Sequence, residues 1–398
     1  MTVADILRLH IDDDVYELSV KEKWFEQYDK SWLIQQIQSR QKAKSKLPTW
    51  YGNFDLIFPP PISVEQASSE ATAAYKASLV YGENIVDMTG GMGIDSVAFS
   101  FRFKQVFFFE MHPLLAEVAA KNFHLIERDN IVVQAADSVQ MLPSLPPVDW
   151  VYLDPSRRQQ QRKVFLLENC TPSIVALLPL LKQKCPHILL KLSPMFEISA
   201  AIQKIEQISD IHIVAVHNEV KELLIVWHRD TSEEQFPMIH CVNLEPKGEN
   251  TIRQYAYPLR NTEIKLSTEV GHFLYEPHPV LCKAGMMDAE AQKFNLSKLQ
   301  KNSQLYTSNT LYKDFFGRIF QVESIFGFSK SELKQGLKGM AKANITIRNF
   351  PMSEVTLRKK LKLADGGDIT LFATTLQNGK HILIRCHKAN LSSNECNI

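Results

Sequence analysis

Glu83-Asn-Ile-Val-Asp-Met-Thr-Gly-Gly-Met-Gly-Ile-Asp-Ser96 is the stretch that decides the fold. Its first half is a strand-like run, and Gly90-Gly91-Met92-Gly93 breaks it into a tight turn. A second strand, Val106-Phe-Phe-Phe-Glu110, ends on a carboxylate seventeen residues after Gly93. In a doubly wound sheet, a strand, a glycine turn, a helix and a second strand with a terminal acid build a pocket for a nucleoside-bearing ligand. The glycines let backbone approach the ligand, and the acid can accept two ribose hydroxyls.

Outward from this stretch, strands and helices alternate, which argues for a parallel sheet. Strands are expected at 85–88, 106–110, 131–133, 150–153 and 187–192, with helices at 114–122 and 173–184. Ser63-Val-Glu-Gln66 has the layout of a capping box and predicts a helix running on to residue 80. The last two strands, 211–217 and 223–228, flank only Asn218-Glu-Val-Lys-Glu222, too short for a crossover helix and sufficient for an antiparallel hairpin. Five parallel units ending in an antiparallel pair give the seven-stranded sheet of class I methyltransferases. A dinucleotide dehydrogenase would continue with a sixth parallel crossover.

The pocket residues sharpen that reading. Gly91-Met-Gly93-Ile-Asp-Ser96 carries Ser where the nicotinamide-binding turn needs its third glycine. S-adenosylmethionine has no pyrophosphate, and its sulfonium and amino group favour a carboxylate, which Asp87 supplies. Gly91 and Gly93 would admit the methionine moiety, Glu110 would hold the ribose and Asp137 the adenine amino group. Thr89, Met111 and Ser138 adjoin these residues and complete the expected cofactor-binding set. Each acid taken singly is also a candidate helix cap, Asp137 above all.

Asp154-Pro155-Ser156-Arg157-Arg158 closes the fourth strand, where a reaction centre would sit, and supplies the expected catalytic residues Asp154, Pro155, Ser156 and Arg157. Asp154 could accept one hydrogen of an amino group and the Pro155 carbonyl the other, aligning the nitrogen for in-line transfer. Arg157 or Arg158 could pair with phosphate or stack on a base. The competing reading is an Asp-Pro turn with solvated arginines. Lys191-Leu-Ser193-Pro194 follows the fifth strand and borders the same pocket. Ser193 stands where a covalent mechanism for carbon methylation would need cysteine. His112 is either an adenine neighbour or a helix start, while Trp227 and Phe107-Phe-Phe109 read as core.

With 398 residues the chain fits two to four domains, and 45% hydrophobic with 22% charged residues is an ordinary globular balance. No apolar run approaches the ~20 residues that span a bilayer, and the first ten residues lack a signal-like layout. Six scattered cysteines without a Cys-x-x-Cys predict reduced thiols in a cytoplasmic protein, with no metal and no membrane partner. The formal charge of +1 hides an asymmetry: residues 324–389 hold twelve Lys/Arg against four acids. A basic tail on a mildly acidic body suggests a polyanionic partner, the alternative being a solvated basic face.

Several of these motifs together resemble a known family. Asp87-Met-Thr-Gly-Gly-Met-Gly-Ile-Asp95, Glu110-Met-His-Pro113, Leu153-Asp-Pro-Ser-Arg-Arg158 and Lys191-Leu-Ser-Pro194 are similar to bacterial class I methyltransferases with C-terminal ferredoxin-like and THUMP-like domains. So are Glu65-Gln-Ala-Ser-Ser-Glu-Ala-Thr-Ala-Ala-Tyr-Lys76 and Arg40-Gln-Lys-Ala-Lys-Ser-Lys-Leu-Pro-Thr-Trp50. Leu274-Tyr-Glu-Pro277 resembles the start of the ferredoxin-like domain. Arg348-Asn-Phe-Pro351, Lys360 to Asp368 and Leu371-Phe-Ala-Thr-Thr375 resemble the THUMP-like domain.

The resemblance implies an α/β fold: a Rossmann-like seven-stranded sheet, a helical N-terminal extension and small C-terminal α+β domains. The expected boundaries are 1–62 (helical), 63–230 (methyltransferase), 231–325 (linker strands and ferredoxin-like) and 326–398 (THUMP-like). It also implies S-adenosylmethionine as cofactor and RNA, ribosomal or transfer, as partner, with Arg348, Arg358, Lys359, Lys360 and Lys362 as RNA-binding residues. Amino-methylating relatives place a second proline and an aromatic after Asp-Pro, whereas Ser156 and Arg157 stand here, so the base is left open. The expected activity is methylation of a base nitrogen in structured RNA. The alternatives are a non-catalytic RNA-binding protein and a methyltransferase for protein or a small molecule.

Overall fold

The computed structural model describes residues 1–20, 27–157, 167–232, 234–245, 249–256 and 263–390. The chain divides into two compact units, one of Met1–His217, Lys221–Met238 and Leu244–Asn250, the other of Asn218–Val220, Ile239–Asn243 and Thr251–Ile398.

The first unit opens with helices Val3–His10, Val15–Val20, Lys30–Ala43 and Pro48–Gly52. Part of the helical pattern expected from residue 18 falls on 21–26, outside the described residues. The basic run after residue 39 is not uniformly solvated. Arg40 is fully buried, its guanidinium 4.7 Å from the Phe58 ring centroid and 5.1 Å from that of Phe54. It donates to the carbonyls of Asn53 and Leu56, and burial lowers its pKa to about 10. The single helix expected from Ser63 to residue 80 is two helices, Pro61–Gln66 and Glu70–Ser78. Pro61 presets the first turn of the former, which leaves Ser63 inside it. The N-cap of the latter is Ser69, whose hydroxyl accepts from the Thr72 amide at 3.1 Å.

The strands are β1 (Asn84–Asp87), β2 (Gln105–Phe109), β3 (Ile131–Gln134), β4 (Trp150–Leu153), the short pair β5 (Ser156–Arg157) and β6 (Cys170–Thr171), β7 (His187–Leu192), β8 (Ile208–Val216) and β9 (Glu219–His228). Seven of them lie in the order β3-β2-β1-β4-β7-β9-β8, within a nine-stranded sheet. β1 pairs in parallel with β2 and β4, β2 with β3, and β4 with β7, while β7 and β9 are antiparallel. The hairpin is tighter than the five-residue connection expected: only His217 and Asn218 join β8 to β9. Both have positive φ, +50° and +65°, as the two central residues of a type I′ turn require. Strand order reverses between β1 and β4, which opens a crevice above their carboxyl ends. Beneath it Ile85, Val86, Val106, Phe108, Trp150, Val151 and Leu189 form the core.

One buried charge cluster ties this unit together. Lys76, on the helix Glu70–Ser78, has no solvent exposure. Its ammonium donates to Glu222 on β9 at 2.9 Å and to the Ser68 hydroxyl at 2.8 Å, and lies 3.1 Å from Asp95 Oδ1 on the helix Ile94–Ser100. Asp95 Oδ2 accepts from Ser68 Oγ and from the Tyr152 hydroxyl on β4, both at 2.7 Å. Burial alone would raise the Asp95 pKa, but Lys76, Lys191 and the two hydroxyl donors hold it below the ordinary carboxylate range.

The second unit contains β12 (Phe273–Pro277), β13 (Ser297–Lys298), β14 (Tyr306–Ser308), β15 (Gly317–Phe326), β16 (Asn344–Arg348), β17 (Ile369–Thr375) and β18 (His381–Lys388); before them run β10 (Met238–Leu244) and β11 (Thr251–Ala256), where only weak strand signals were expected. The sheet order is β13-β14-β12-β15-β18-β17-β16, with β16 and β17 parallel. Leu357 and Leu361 of the helix Glu354–Leu361 pack on Leu371, Ala373 and Leu383. The helix expected over 330–343 stops at Gly336, because Gly336 and Gly339 (φ +75°) favour leaving the helix. Among the described residues no helix is long and apolar enough to cross a membrane.

Removing the ammonium from the Lys76 cluster leaves two buried carboxylates uncompensated, a loss on the order of 3–5 kcal/mol. Denaturant unfolding of Lys76→Met should therefore show a markedly lower midpoint with an unchanged slope. Lys121→Met, which breaks an exposed pair with Glu117, should shift the midpoint little.

Candidate active site

The glycine turn shows why each residue is needed. A side chain at Gly90 would come within 2.3 Å of the Phe108 ring, and one at Gly93 (φ +86°) within 2.4 Å of Phe123. Gly91 differs. It has left-handed φ (+57°), and the nearest atom to a methyl group there would be the Thr89 carbonyl at 3.9 Å. Two glycines thus admit packing, and the third presents open backbone to the crevice.

Glu110 at the end of β2 closes the turn. Its Oε2 accepts from the Gly91 amide and its Oε1 from the His112 amide, both at 2.8 Å, and it is 9% exposed. Asp87 lies deeper. Its two oxygens accept from the Thr89 amide at 3.0 Å and from Ser96 Oγ at 2.6 Å. Burial pushes its pKa up to about 7. Ser96, which stands where a nicotinamide turn would have glycine, is thus a donor to the strand-end acid. Thr89 Oγ1 accepts from the Asp154 amide at 2.7 Å and locks the end of β1 to that of β4. Ser138 Oγ donates to the Met88 carbonyl at 2.8 Å. Asp137 caps the helix Ser138–Met141 through the Val139 amide at 2.9 Å, and Met111 is a largely exposed side chain on the rim.

On the far side stand Asp154, buried Pro155 and exposed Ser156, whose hydroxyl donates to the Thr171 carbonyl at 3.3 Å across the β5–β6 pair. Lys191 at the end of β7 forms an ion pair with Asp154 Oδ2. Burial raises the Asp154 pKa and Lys191 opposes that shift. Burial alone would depress Lys191, but Asp154, Glu222 and Asp95 carry it above the ordinary lysine value. Lys46 is lowered to about 8 by burial and by Lys191.

All eleven cofactor and catalytic candidates with described side chains line one cleft of about 1380 Å³ in the first unit. Of Arg157 the structure gives its place in β5, and Arg158 lies outside the described residues. The five candidate RNA-binding residues belong to the second unit. Two of them are held by carboxylates there. Arg348 donates to Glu276 at 2.6 Å, and Arg358 pairs with Glu354 and Asp365, both at 2.7 Å. Lys359, Lys360 and Lys362 are exposed, with the Lys360 ammonium 5.5 Å from the Phe328 ring centroid. The Lys76 cluster and the Lys191–Asp154 pair were not foreseen from the sequence. Neither rests on a spacing, since the partners lie 146 and 37 residues apart.

Residues 273–315 match a family model for a ferredoxin-like domain, and residues 317–388 match one for a THUMP domain-like fold. No curated protein matches the chain. Among solved structures it is similar to a candidate methyltransferase from Streptococcus mutans in complex with SAH, at 10% identity over 39% of this chain and 94% of that one (TM-score 0.30). It is also similar to a candidate RNA methyltransferase from Pyrococcus horikoshii, at 14% identity over 43% of this chain and 90% of that one (TM-score 0.31). A candidate methyltransferase from Porphyromonas gingivalis W83 is 32% identical over 98% of both chains, with a TM-score of 0.87. With that likeness along its whole length, the chain belongs to the bacterial class I methyltransferases that carry C-terminal ferredoxin-like and THUMP-like domains.

Proposed function

We propose that this protein is an S-adenosylmethionine-dependent methyltransferase acting on a base nitrogen of structured RNA, ribosomal or transfer. The observation that carries the reading is the single cleft joining the open Gly91 backbone and Glu110 to Asp154 and Pro155. The residues present suit the cofactor. Gly91 would place no side chain against a ligand, Glu110 retains acceptor capacity beside its two amide donors, and Met111 offers apolar cover for an adenine. When bound, S-adenosylmethionine supplies an electrophilic methyl group, its sulfonium leaving as a neutral thioether. Gly91, Glu110 and Asp137 would hold it, with Asp87 beneath the turn and Asp154 facing the acceptor. RNA is the partner suggested by the THUMP-like fold and by the exposed lysines of the helix Glu354–Leu361 and its end.

Calorimetric titration with S-adenosylhomocysteine tests the cofactor assignment. Each hydroxyl hydrogen bond to a charged acceptor is worth roughly 1.5–3 kcal/mol, so Glu110→Gln should bind at least about tenfold more weakly. Unchanged affinity in a folded Glu110→Gln protein would remove Glu110 from the cofactor site.

The basic residues divide in the same way. Gel-shift titrations of a structured RNA hairpin at several salt concentrations should show a slope reduced by about 2 log units per log unit of salt when Lys359, Lys360 and Lys362 are all changed to Gln, at roughly 0.7 per single-strand phosphate contact. Arg348→Gln should change that slope less, because its guanidinium is held by Glu276, which it shares with Arg318. Equal slopes for the triple variant and the parent would remove these lysines from the RNA surface.

A further inference from the structure

The cleft is not uniform in charge. Asp87, Glu110 and Asp137 line its cofactor side, whereas Lys191 and Lys221 line it beyond Asp154. Leu192, the last residue of β7, pairs with Leu223 of β9, so Lys221 stands past the carboxyl end of β7. A third lysine, Lys46, approaches from the N-terminal helical region. Its ammonium donates to the carbonyls of Glu65 at 2.8 Å and Val64 at 3.3 Å, between Ser63 and Gln66, which both line the cleft. Burial weakens its hold on a proton, and the positive charges of Lys191, Lys221 and Lys76 act in the same direction. The cations therefore share one neighbourhood.

Carboxylates do not answer that charge. In the same basic run Lys42 pairs with Glu65 and Lys44 with Asp12, but Lys46 pairs with no carboxylate among the described residues. Glu222, the acid that favours its charged form, is already bonded to Lys76 at 2.9 Å, and Asp154 is paired with Lys191. What is left is a half-buried ammonium held by neutral carbonyls, with two lysines of the cleft wall near it. Such a cluster sets up a positive field that an entering anion relieves, and a lysine ammonium suits phosphate as a point charge. Resting on the methyltransferase reading above, we infer that Lys46 and Lys221 receive a phosphate group of the methyl acceptor, on the Lys191 side of Asp154. The acceptor is thereby held at the reacting edge through its phosphate, a contact that positions it and carries no information about the base.

Gel-shift titration of a structured RNA hairpin with the full chain saturated with S-adenosylhomocysteine, at several salt concentrations, tests this. Changing Lys46 and Lys221 together to Gln should reduce the slope by about 0.7 log units per log unit of salt, the loss of one single-strand phosphate contact. Lys221 is exposed, so Lys221→Gln alone gives a reading free of any question of folding and should reduce the slope in the same direction. Lys221→Arg keeps the charge and should keep the slope. Calorimetry should give one S-adenosylhomocysteine affinity for the parent and all variants. A second arm, titration with inorganic phosphate followed by phosphorus NMR, separates the sources of the phosphate. A double variant that loses phosphate binding at an unchanged RNA slope assigns the site to a small phosphorylated acceptor. An unchanged slope with no loss of phosphate binding, or a slope that falls equally in Lys221→Arg, would overturn the inference. Absence of salt-dependent RNA binding by the parent would instead overturn the RNA reading, and failure to bind S-adenosylhomocysteine the methyltransferase reading beneath it.

Discussion

The buried ammonium of Lys76 is the constraint on which the first unit depends. Three elements that meet at the cleft each deliver a polar group into one desolvated volume: Asp95 from the helix after the glycine turn, Tyr152 from β4 and Glu222 from β9. Without a cation, two carboxylates there would repel in a desolvated setting, at a cost on the order of 3–5 kcal/mol. With it, the helix Glu70–Ser78 is fixed against the turn from one side and against the terminal hairpin from the other. The loop holding Ser68 then follows, since Ser68 both accepts from Lys76 and donates to Asp95.

That constraint also sets the electrostatics of the reacting edge. Asp87, Asp95 and Asp154 line the cleft floor, and Asp95 and Asp154 both disfavour ionisation of Asp87. Lys76 and Lys191 divide the compensation. Lys76 is enclosed and satisfies Asp95 and Glu222, whereas Lys191 faces the cleft and pairs with Asp154. Asp87 receives only a backbone amide and a hydroxyl, so burial dominates and raises it toward neutrality. A buried acid without a cation under the glycine turn, beside an acid with one at the substrate edge, divides the floor into two environments.

The parts legible in the sequence were those written in short range. The strands, the Gly90–Gly93 turn and the acid at the end of β2 follow from alternation and spacing, and the antiparallel ending from the length of a connection. Local competition defeated other expectations. Pro61 at a first turn outweighed the capping pattern at Ser63, and Gly336 with Gly339 cut short a helix whose apolar spacing ran on. The hairpin turn was shortened because Asn218 and His217 both adopt positive φ, a conformation that composition does not announce. What could not be read was any pairing across distance. A lysine within Glu70–Ser78 looks solvated until tertiary structure places Glu222 against it.

Charge counting fails for the same reason. The excess of twelve Lys/Arg over four acids in residues 324–389 is a sequence-window quantity, and two of the acids that answer it lie outside that window. Glu276 on β12 holds Arg348, and Glu323 on β15 holds Arg385 and His387. Arg358 spends its guanidinium on Glu354, Asp365 and the carbonyls of Ala343 and Ala364, pinning the helix Glu354–Leu361 to the strand it covers. Arginine's planar fork suits such multidentate internal roles, whereas lysine's flexible ammonium suits transient contact with phosphate. The division seen here, arginines turned to structure and Lys359, Lys360 and Lys362 left to solvent, is the one a fold would adopt if its basic character had to serve packing and an anionic partner at once.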